Sequence, residues 1–221
     1  MRKAISFAGG DLDFFTETKA RVLLDLIRRR LGDPTEMRVL DVGCGPGATD
    51  AYLVPHVHEL QGIDVSEGIL ETARTANPGV VYTAFDGVRF PFDDGSFDFA
   101  FAICVLHHVP PPNWPGFVAE LARVVRPNGL VAIAEHNPFN PLTRLVVHRC
   151  EFDDDAVLLR RGQVEALERQ AGAEPVDSRY IVFFPWRNRL LERVERGLRM
   201  VPLGAQHVVA GVRGDRVASR P

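Results

Sequence analysis

Two clusters of residues in this 221-residue chain combine types and spacings that could do chemistry. The first reads Asp41-Val42-Gly43-Cys44-Gly45-Pro46-Gly47 and is followed by Asp64. Alternating glycines let a backbone turn sharply and approach a ligand where any Cβ would collide. A helix expected from about Ala48 would aim its free N–H groups at an anionic group such as a carboxylate. An acid roughly twenty residues beyond the first glycine, at the end of a second strand, can hydrogen-bond both hydroxyls of a ribose. The second cluster is His107-His108 with, further on, Glu135-His136. Histidine titrates near neutrality and can take a proton from a hydroxyl or a protonated amine. Successive side chains point in different directions, so one of His107 and His108 is expected to face an acceptor and the other to pack or cap.

The glycine run departs from a dinucleotide fingerprint, which places its third glycine one position later than Gly47 and asks for no acid before the first. A pyrophosphate needs open N–H groups, whereas Asp41 suits an ammonium group or a water ordered beside one. The run Asp41-x-Gly43-x-Gly45-x-Gly47 resembles the first motif of class I S-adenosylmethionine-dependent methyltransferases. The resemblance continues from Val39 to Glu135, through Phe90-Pro91-Phe92-Asp93-Asp94-Gly95-Ser96-Phe97-Asp98 and the segment from Glu120 to Ala134. It implies S-adenosyl-L-methionine as cofactor and S-adenosyl-L-homocysteine as product. It further implies that Asp41, Gly43, Cys44, Gly45 and Gly47 form the cradle and that Asp64 and Val65 meet the ribose. Phe85, Asp86 and Gly87 would meet the adenine, with Ile103 and Cys104 at the end of the fourth strand. Asp86 also has a plain alternative as a turn-forming residue. In natural-product enzymes that methylate sugar hydroxyls, a His-His pair after the fourth strand and an acid after the fifth face the acceptor. This chain is similar to them at His107, His108 and Glu135, but His136-Asn137 follows the acid directly, leaving open whether Glu135 or His136 points inward.

The elements that must position these residues follow from periodicity and punctuation. Phe14, Phe15, Val22, Leu23, Leu26 and Ile27 share roughly one helical face, and Arg28-Arg29-Arg30 suit the helix's C-terminal end. In the family such a helix lies over the cofactor as a lid, which makes Phe14, Phe15 and Lys19 candidate pocket residues. Short apolar runs at 39–42, 60–64, 80–84, 97–103 and 130–134 read as buried parallel strands separated by helices. Ser66 is expected to cap the helix that ends near Ala76. The resemblance implies a Rossmann-like α/β fold, a seven-stranded, mostly parallel sheet of order 3-2-1-4-5-7-6 with helices on both faces and strand 7 antiparallel. One domain is expected over residues 1–221, with a lid helix in 1–32 and a helical insertion between strands 6 and 7 at 186–203. That insertion puts Leu190, Leu191, Val194, Leu198 and Val201 on one face and five arginines on the rest. It reads as a cover over the cleft, a homodimer contact, or a helix that visits anionic lipid with Trp186 as anchor. Asn137, His148 and Tyr180 complete the candidate substrate residues.

Composition narrows the partners. A net charge of −3 without a basic tail argues against nucleic acid. Asn137-Pro138-Phe139 resembles the Asn-Pro-Pro-Tyr box of amino-methylating DNA enzymes, but that box belongs after the fourth strand. No apolar run reaches the roughly 18 residues of a membrane span and no signal-peptide core is apparent, so a cytoplasmic protein is expected. The cysteines, Cys44, Cys104 and Cys150, are odd in number and widely spaced, indicating neither a disulfide frame nor a metal site. The expected function is methyl transfer to a small-molecule acceptor, at a hydroxyl, in specialised metabolism. The alternatives are a lipid-linked or quinone-like acceptor, a regulatory protein that binds the cofactor without using it, and, more distantly, an NAD oxidoreductase.

Overall fold

Apolar residues alternate between the two faces of each strand, and that alternation sets the architecture. In the computed structural model, which describes residues 12–150, 156–184 and 189–215, seven strands form one sheet in the order β3-β2-β1-β4-β5-β7-β6. They are β1 (Arg38–Val42), β2 (Glu59–Asp64), β3 (Val81–Ala84), β4 (Phe97–Ile103), β5 (Val125–His136), β6 (Ala173–Ile181) and β7 (Gln206–Arg213). Strands β1 to β5 pair in parallel, and β7 runs antiparallel to both β5 and β6. The helices are α1 (Leu12–Arg30), α2 (Asp50–Leu53), α3 (Glu67–Ala76), α4 (Trp114–Val124), α5 (Pro141–His148), α6 (Arg161–Gln170) and α7 (Arg189–Leu198).

Val39, Phe99, Phe101, Ala132 and Val208 face a core layer completed by α1 and α3. Leu40, Val42, Ala100, Ala102, Val131 and Ile133 face a second layer completed by α4 and α6. Burying each large side chain contributes about 1.5–3 kcal/mol, so the central strands carry most of the packing energy. Both faces are covered, which is why these strands read as continuous apolar runs.

Several expectations change in detail. The helix expected from Ala48 is a single turn at Asp50–Leu53 followed by a 3-10 turn over Val54–His56, where Pro55 denies the next backbone donor. Ser66 makes no side-chain cap; its N–H instead donates to Asp64 Oδ1 at 3.0 Å. The strand expected at 130–134 begins earlier, at Val125, and within its first residues Asn128 takes a left-handed φ of 62° beside a register irregularity. The C-terminal part of α1 is a core helix, with Ala20, Leu23, Leu26 and Ile27 buried; only its first turns remain for a lid. Trp186 lies outside the described residues.

One arginine pins the segment after β3 onto α4. Arg123 donates to Glu120, to Asp94 and to the carbonyls of Phe90 and Phe92, while Glu120 Oε2 accepts the Phe90 N–H. This clamp fixes the chain on which Phe85 and Asp86 sit.

Candidate active site

The glycine turn leaves β1 with φ of 73° at Gly43, 54° at Gly45 and 72° at Gly47, a region L-residues rarely adopt. The Gly43 and Cys44 N–H groups both donate to Ile63 O, at 2.7 and 3.1 Å, tying the turn to β2. A Cβ on Gly43 would lie 2.4 Å from Val105, and one on Gly47 would lie 2.5 Å from Asn77 Nδ2 and Tyr82 OH. A Cβ on Gly45 would meet nothing within 4 Å. Two glycines thus permit packing of the turn itself, and the third borders open space.

Asp64 stands at that opening. Its Oδ2 accepts the Gly45 N–H and its Oδ1 the Ser66 N–H, each at 3.0 Å. The carboxylate is held by backbone donors, and each oxygen keeps a second acceptor position suited to a ribose hydroxyl. Val65 beside it is 64% exposed, and Gly87 approaches Val65 from across the cleft. Phe85 is half-buried, edge-on to Phe90 at 5.4 Å. Asp86 is exposed, and its Oδ1 accepts the N–H groups of Val88 and Arg89, which hold its carboxyl below the usual range. It is a turn-forming residue in this conformation, at the place where the resemblance puts adenine. An S-adenosyl cofactor fits these residues: Asp64 would hold the ribose, and the open space at Gly45 would admit the ligand.

Sequence reasoning missed the support beneath the turn. Asp50 is fully buried, and its Oδ2 accepts the Tyr82 hydroxyl at 2.7 Å. Asn77 Nδ2 donates to Tyr82 OH at 3.0 Å and to Gly47 O at 2.9 Å. A pattern search had one weak signal for this network, a polar residue in the first turn of an otherwise apolar helix. Cys44 is buried, and burial first, then Asp41, pushes its thiol up, so it is inert.

At the C-terminal edge of β4 and β5 the histidine cluster assembles around Glu135, which has no exposed surface. Glu135 Oε1 accepts the N–H groups of Val105 (3.2 Å) and Leu106 (2.8 Å), and Oε2 meets His107 Nδ1 at 2.5 Å. Burial alone would raise its carboxyl; the His107 hydrogen bond, with His107, His136 and His207 nearby, holds it below the ordinary range. The ionised carboxylate accepts, so His107 carries its proton on Nδ1. His107 is 1% exposed, whereas His108 is exposed and His136 half-buried. Their rings lie 4.1 and 5.1 Å from that of His107. Ile103 and Cys104 are half-buried at the same edge. Cys104 takes φ 57°, donates its N–H to Ala134 O, and accepts Gln206 Nε2 at 3.0 Å.

Glu135 therefore positions the loop after β4, with its oxygens spent on that loop rather than aimed at an acceptor. Asn137 is likewise turned inward: it donates to Pro202 O and Gly204 O and accepts the Phe139 N–H, which spends its side chain on loop packing. Tyr180 is buried in the sheet, in register with His207 and beneath Arg161 at 5.0 Å. His148, exposed on α5, lines a cavity of 560 Å³ with Arg144, Leu145 and Leu158. Phe14 and Phe15 are half-buried on α1, and Lys19 lies near enough to Asp41 to lower its carboxyl against the effect of burial.

Residues 40–133 match the family described as a methyltransferase domain. Over that segment, less than half of its length, the chain is similar to methyltransferase domains. Among curated relatives it is 34% identical over 107 residues to a phthiotriol/phenolphthiotriol dimycocerosates methyltransferase of Mycobacterium leprae, covering 47% of this chain and 39% of that protein. It is 32% identical over 127 residues to a demethylmenaquinone methyltransferase of Beutenbergia cavernae, covering 57% and 50%. The chain thus spans half or less of the length of these relatives. Its fold is that of a methyltransferase of Thermotoga maritima described as a possible histamine N-methyltransferase, with a TM-score of 0.67 at 21% identity, covering 90% of this chain and 89% of that one. The matched segment contains the whole of the glycine turn, Asp64 and the His107-His108 pair.

Proposed function

We propose that the chain transfers a methyl group from S-adenosylmethionine to a hydroxyl of a small-molecule acceptor, as a cytoplasmic enzyme of specialised metabolism. The observation that carries the cofactor assignment is the Asp64 carboxylate, bound to the N–H groups of Gly45 and Ser66 beside the open face of Gly45. The bound cofactor supplies an already activated methyl group, so the protein's work is to align the acceptor and remove a proton.

His108 is the acceptor-facing base in this reading, because it is the exposed member of the pair. His107 and Glu135 are positioning residues that hold the loop on which His108 stands. His136, half-buried at the same edge, contributes to the acceptor wall. The test is a mass-shift screen for methylated acceptors, with calorimetric titration of S-adenosylhomocysteine alongside. Asp64→Ala should abolish binding, and His108→Ala should lower turnover roughly 10²-fold or more with cofactor affinity barely moved. Full turnover in His108→Ala would remove the base role; tight binding without transfer to any acceptor would favour a regulatory protein.

A second reading, a lipid-linked or quinone-like acceptor met at a membrane surface, rests on a surface beside the cleft. Phe139, Leu142, Met200 and Leu203 are each at least half exposed. Asn140 joins the first pair to Leu203, and Arg160 and Arg161 lie against Phe139 and Met200. The names of the two curated relatives point to acceptors of that kind. No helix among the described residues is long and apolar enough to cross a membrane, so contact would be peripheral. Co-sedimentation with anionic vesicles, lost on reversing Arg193 and Arg199, would support this reading; no vesicle binding would sink it.

A further inference from the structure

Directly beneath the glycine turn, Asp41 on β1 and Asp50 at the start of α2 are 3% and 0% exposed, with their carboxyls close enough to share a hydrogen bond. Two carboxyl oxygens make such a bond only with a proton between them, and two buried carboxylates in contact do not both ionise. Asp50 Oδ2 is taken by the Tyr82 hydroxyl, and the buried Oδ1 has no hydrogen-bond donor among the described residues. The shared proton therefore sits on the Oδ1 side, facing Asp41. Burial first, then Asp50, then Asp64 raise the Asp41 carboxyl, and Lys19 opposes them. The titratable groups facing the pair are thus Asp64 from β2, Cys44 from the turn, Tyr82 from β3 and Lys19 from α1. Three carboxyls face one ammonium, and the two aspartates of the pair are buried.

Resting on the cofactor assignment above, we propose that Asp41 and Asp50 share one proton in the ligand-free protein and release it to solvent when the cofactor binds, so that Asp50 makes the site prefer the sulfonium cofactor over its thioether product. With its proton the pair carries a single negative charge, and without it two. A cation held in the turn stabilises the second ionisation. S-adenosylmethionine carries one positive charge more than S-adenosylhomocysteine, on its sulfonium, so the pair ionises more completely under it. Asp50 acts through Asp41 and is a specificity-determining residue that touches no reacting atom. While the free pair holds its proton and the bound pair does not, affinity rises with pH by about tenfold per unit. The slope for the thioether is shallower.

The experiment is calorimetric titration of the full chain with each of the two ligands, in phosphate and in Tris, whose ionisation enthalpies differ. The heat difference counts protons, and about one should leave per S-adenosylmethionine bound, fewer per S-adenosylhomocysteine. Asp50→Asn should abolish the release, flatten the pH dependence and narrow the preference between the ligands. Tyr82→Phe keeps both acids and should keep the release, which guards against misreading a folding defect; melting curves of both variants accompany the titrations. Binding with equal heats in the two buffers would overturn the proposal and leave the cofactor assignment standing, as would undiminished proton release in Asp50→Asn. No binding of either ligand would overturn both.

Discussion

Replacing Glu135 by glutamine separates its charge from its shape. In the native protein Oε1 accepts two backbone N–H groups and Oε2 accepts His107 Nδ1–H, all without access to water. A glutamine can keep its oxygen on the Val105 and Leu106 N–H groups, but its amide nitrogen then faces His107 Nδ1. His107 must move its proton to Nε2 to accept, and the charge-assisted bond becomes a neutral one. A hydrogen bond to a charged group contributes about 1.5–3 kcal/mol net and a neutral one about 0.5–1.5, so Glu135→Gln should cost about 1–2 kcal/mol. At this chain length that lowers Tm by roughly 2–8 °C. Glu135→Ala strands all three donors at about 1–3 kcal/mol each, so its loss should exceed about 3 kcal/mol.

The pH dependence has a definite sign. The folded-state carboxyl lies below its unfolded value, so its contribution is present above that value and is lost as pH falls through the folded one. The native protein's advantage over Glu135→Gln should therefore vanish on acidification. Guanidinium unfolding from neutral to acid pH measures this, with S-adenosylhomocysteine titration confirming that the cofactor side is intact. Equal losses for glutamine and alanine, or an advantage that persists in acid, would refute the reasoning.

Glu168 should behave in the opposite sense. It is fully buried on α6 against Gly211, neither oxygen has a donor among the described residues, and burial pushes its carboxyl well above the ordinary value. The folded protein keeps a proton that the unfolded chain loses. Stability is therefore full below the unfolded value and falls by about 1.4 kcal/mol per pH unit above it. Glu168→Gln should flatten that limb in denaturant unfolding, and parallel profiles for variant and native protein would contradict it. Gly45→Ala and Gly47→Ala should part company, since both strain a left-handed φ at about 1–2 kcal/mol but only the second drives a methyl into Asn77 and Tyr82. Melting temperature should fall further for Gly47→Ala, while S-adenosylhomocysteine titration should show binding lost in both; unimpaired binding in Gly45→Ala would mean that its open face does not border the ligand.

The central strands, the glycine turn and Asp64 were legible in the chain because each rests on local rules, whereas the strand order came from the resemblance that those residues carry. Buried parallel strands need continuous apolar runs, a tight ligand-facing turn needs glycine, and an acid at the end of the next strand stands a fixed distance along the chain. Spacing also brought His107, His108 and Glu135 to one sheet edge, since the carboxyl ends of β4 and β5 are neighbours in register. Their orientation was not legible. Which of two adjacent histidines is buried depends on where the loop after β4 finds acceptors, and Glu135 from a different strand supplies them. Asn137 and Tyr180 look like site residues in sequence because polar and aromatic types near a strand end suit a ligand. Packing of the Pro202–Gly204 loop spends Asn137 elsewhere, and Tyr180 is buried beneath Arg161. The Asp41 and Asp50 pair shows the division most plainly: the sequence determined Asp41 through its place before the glycines, whereas only tertiary structure set a second carboxyl against it, because Tyr82 and Asn77 arrive from β3 and the end of α3 to hold Asp50 in place.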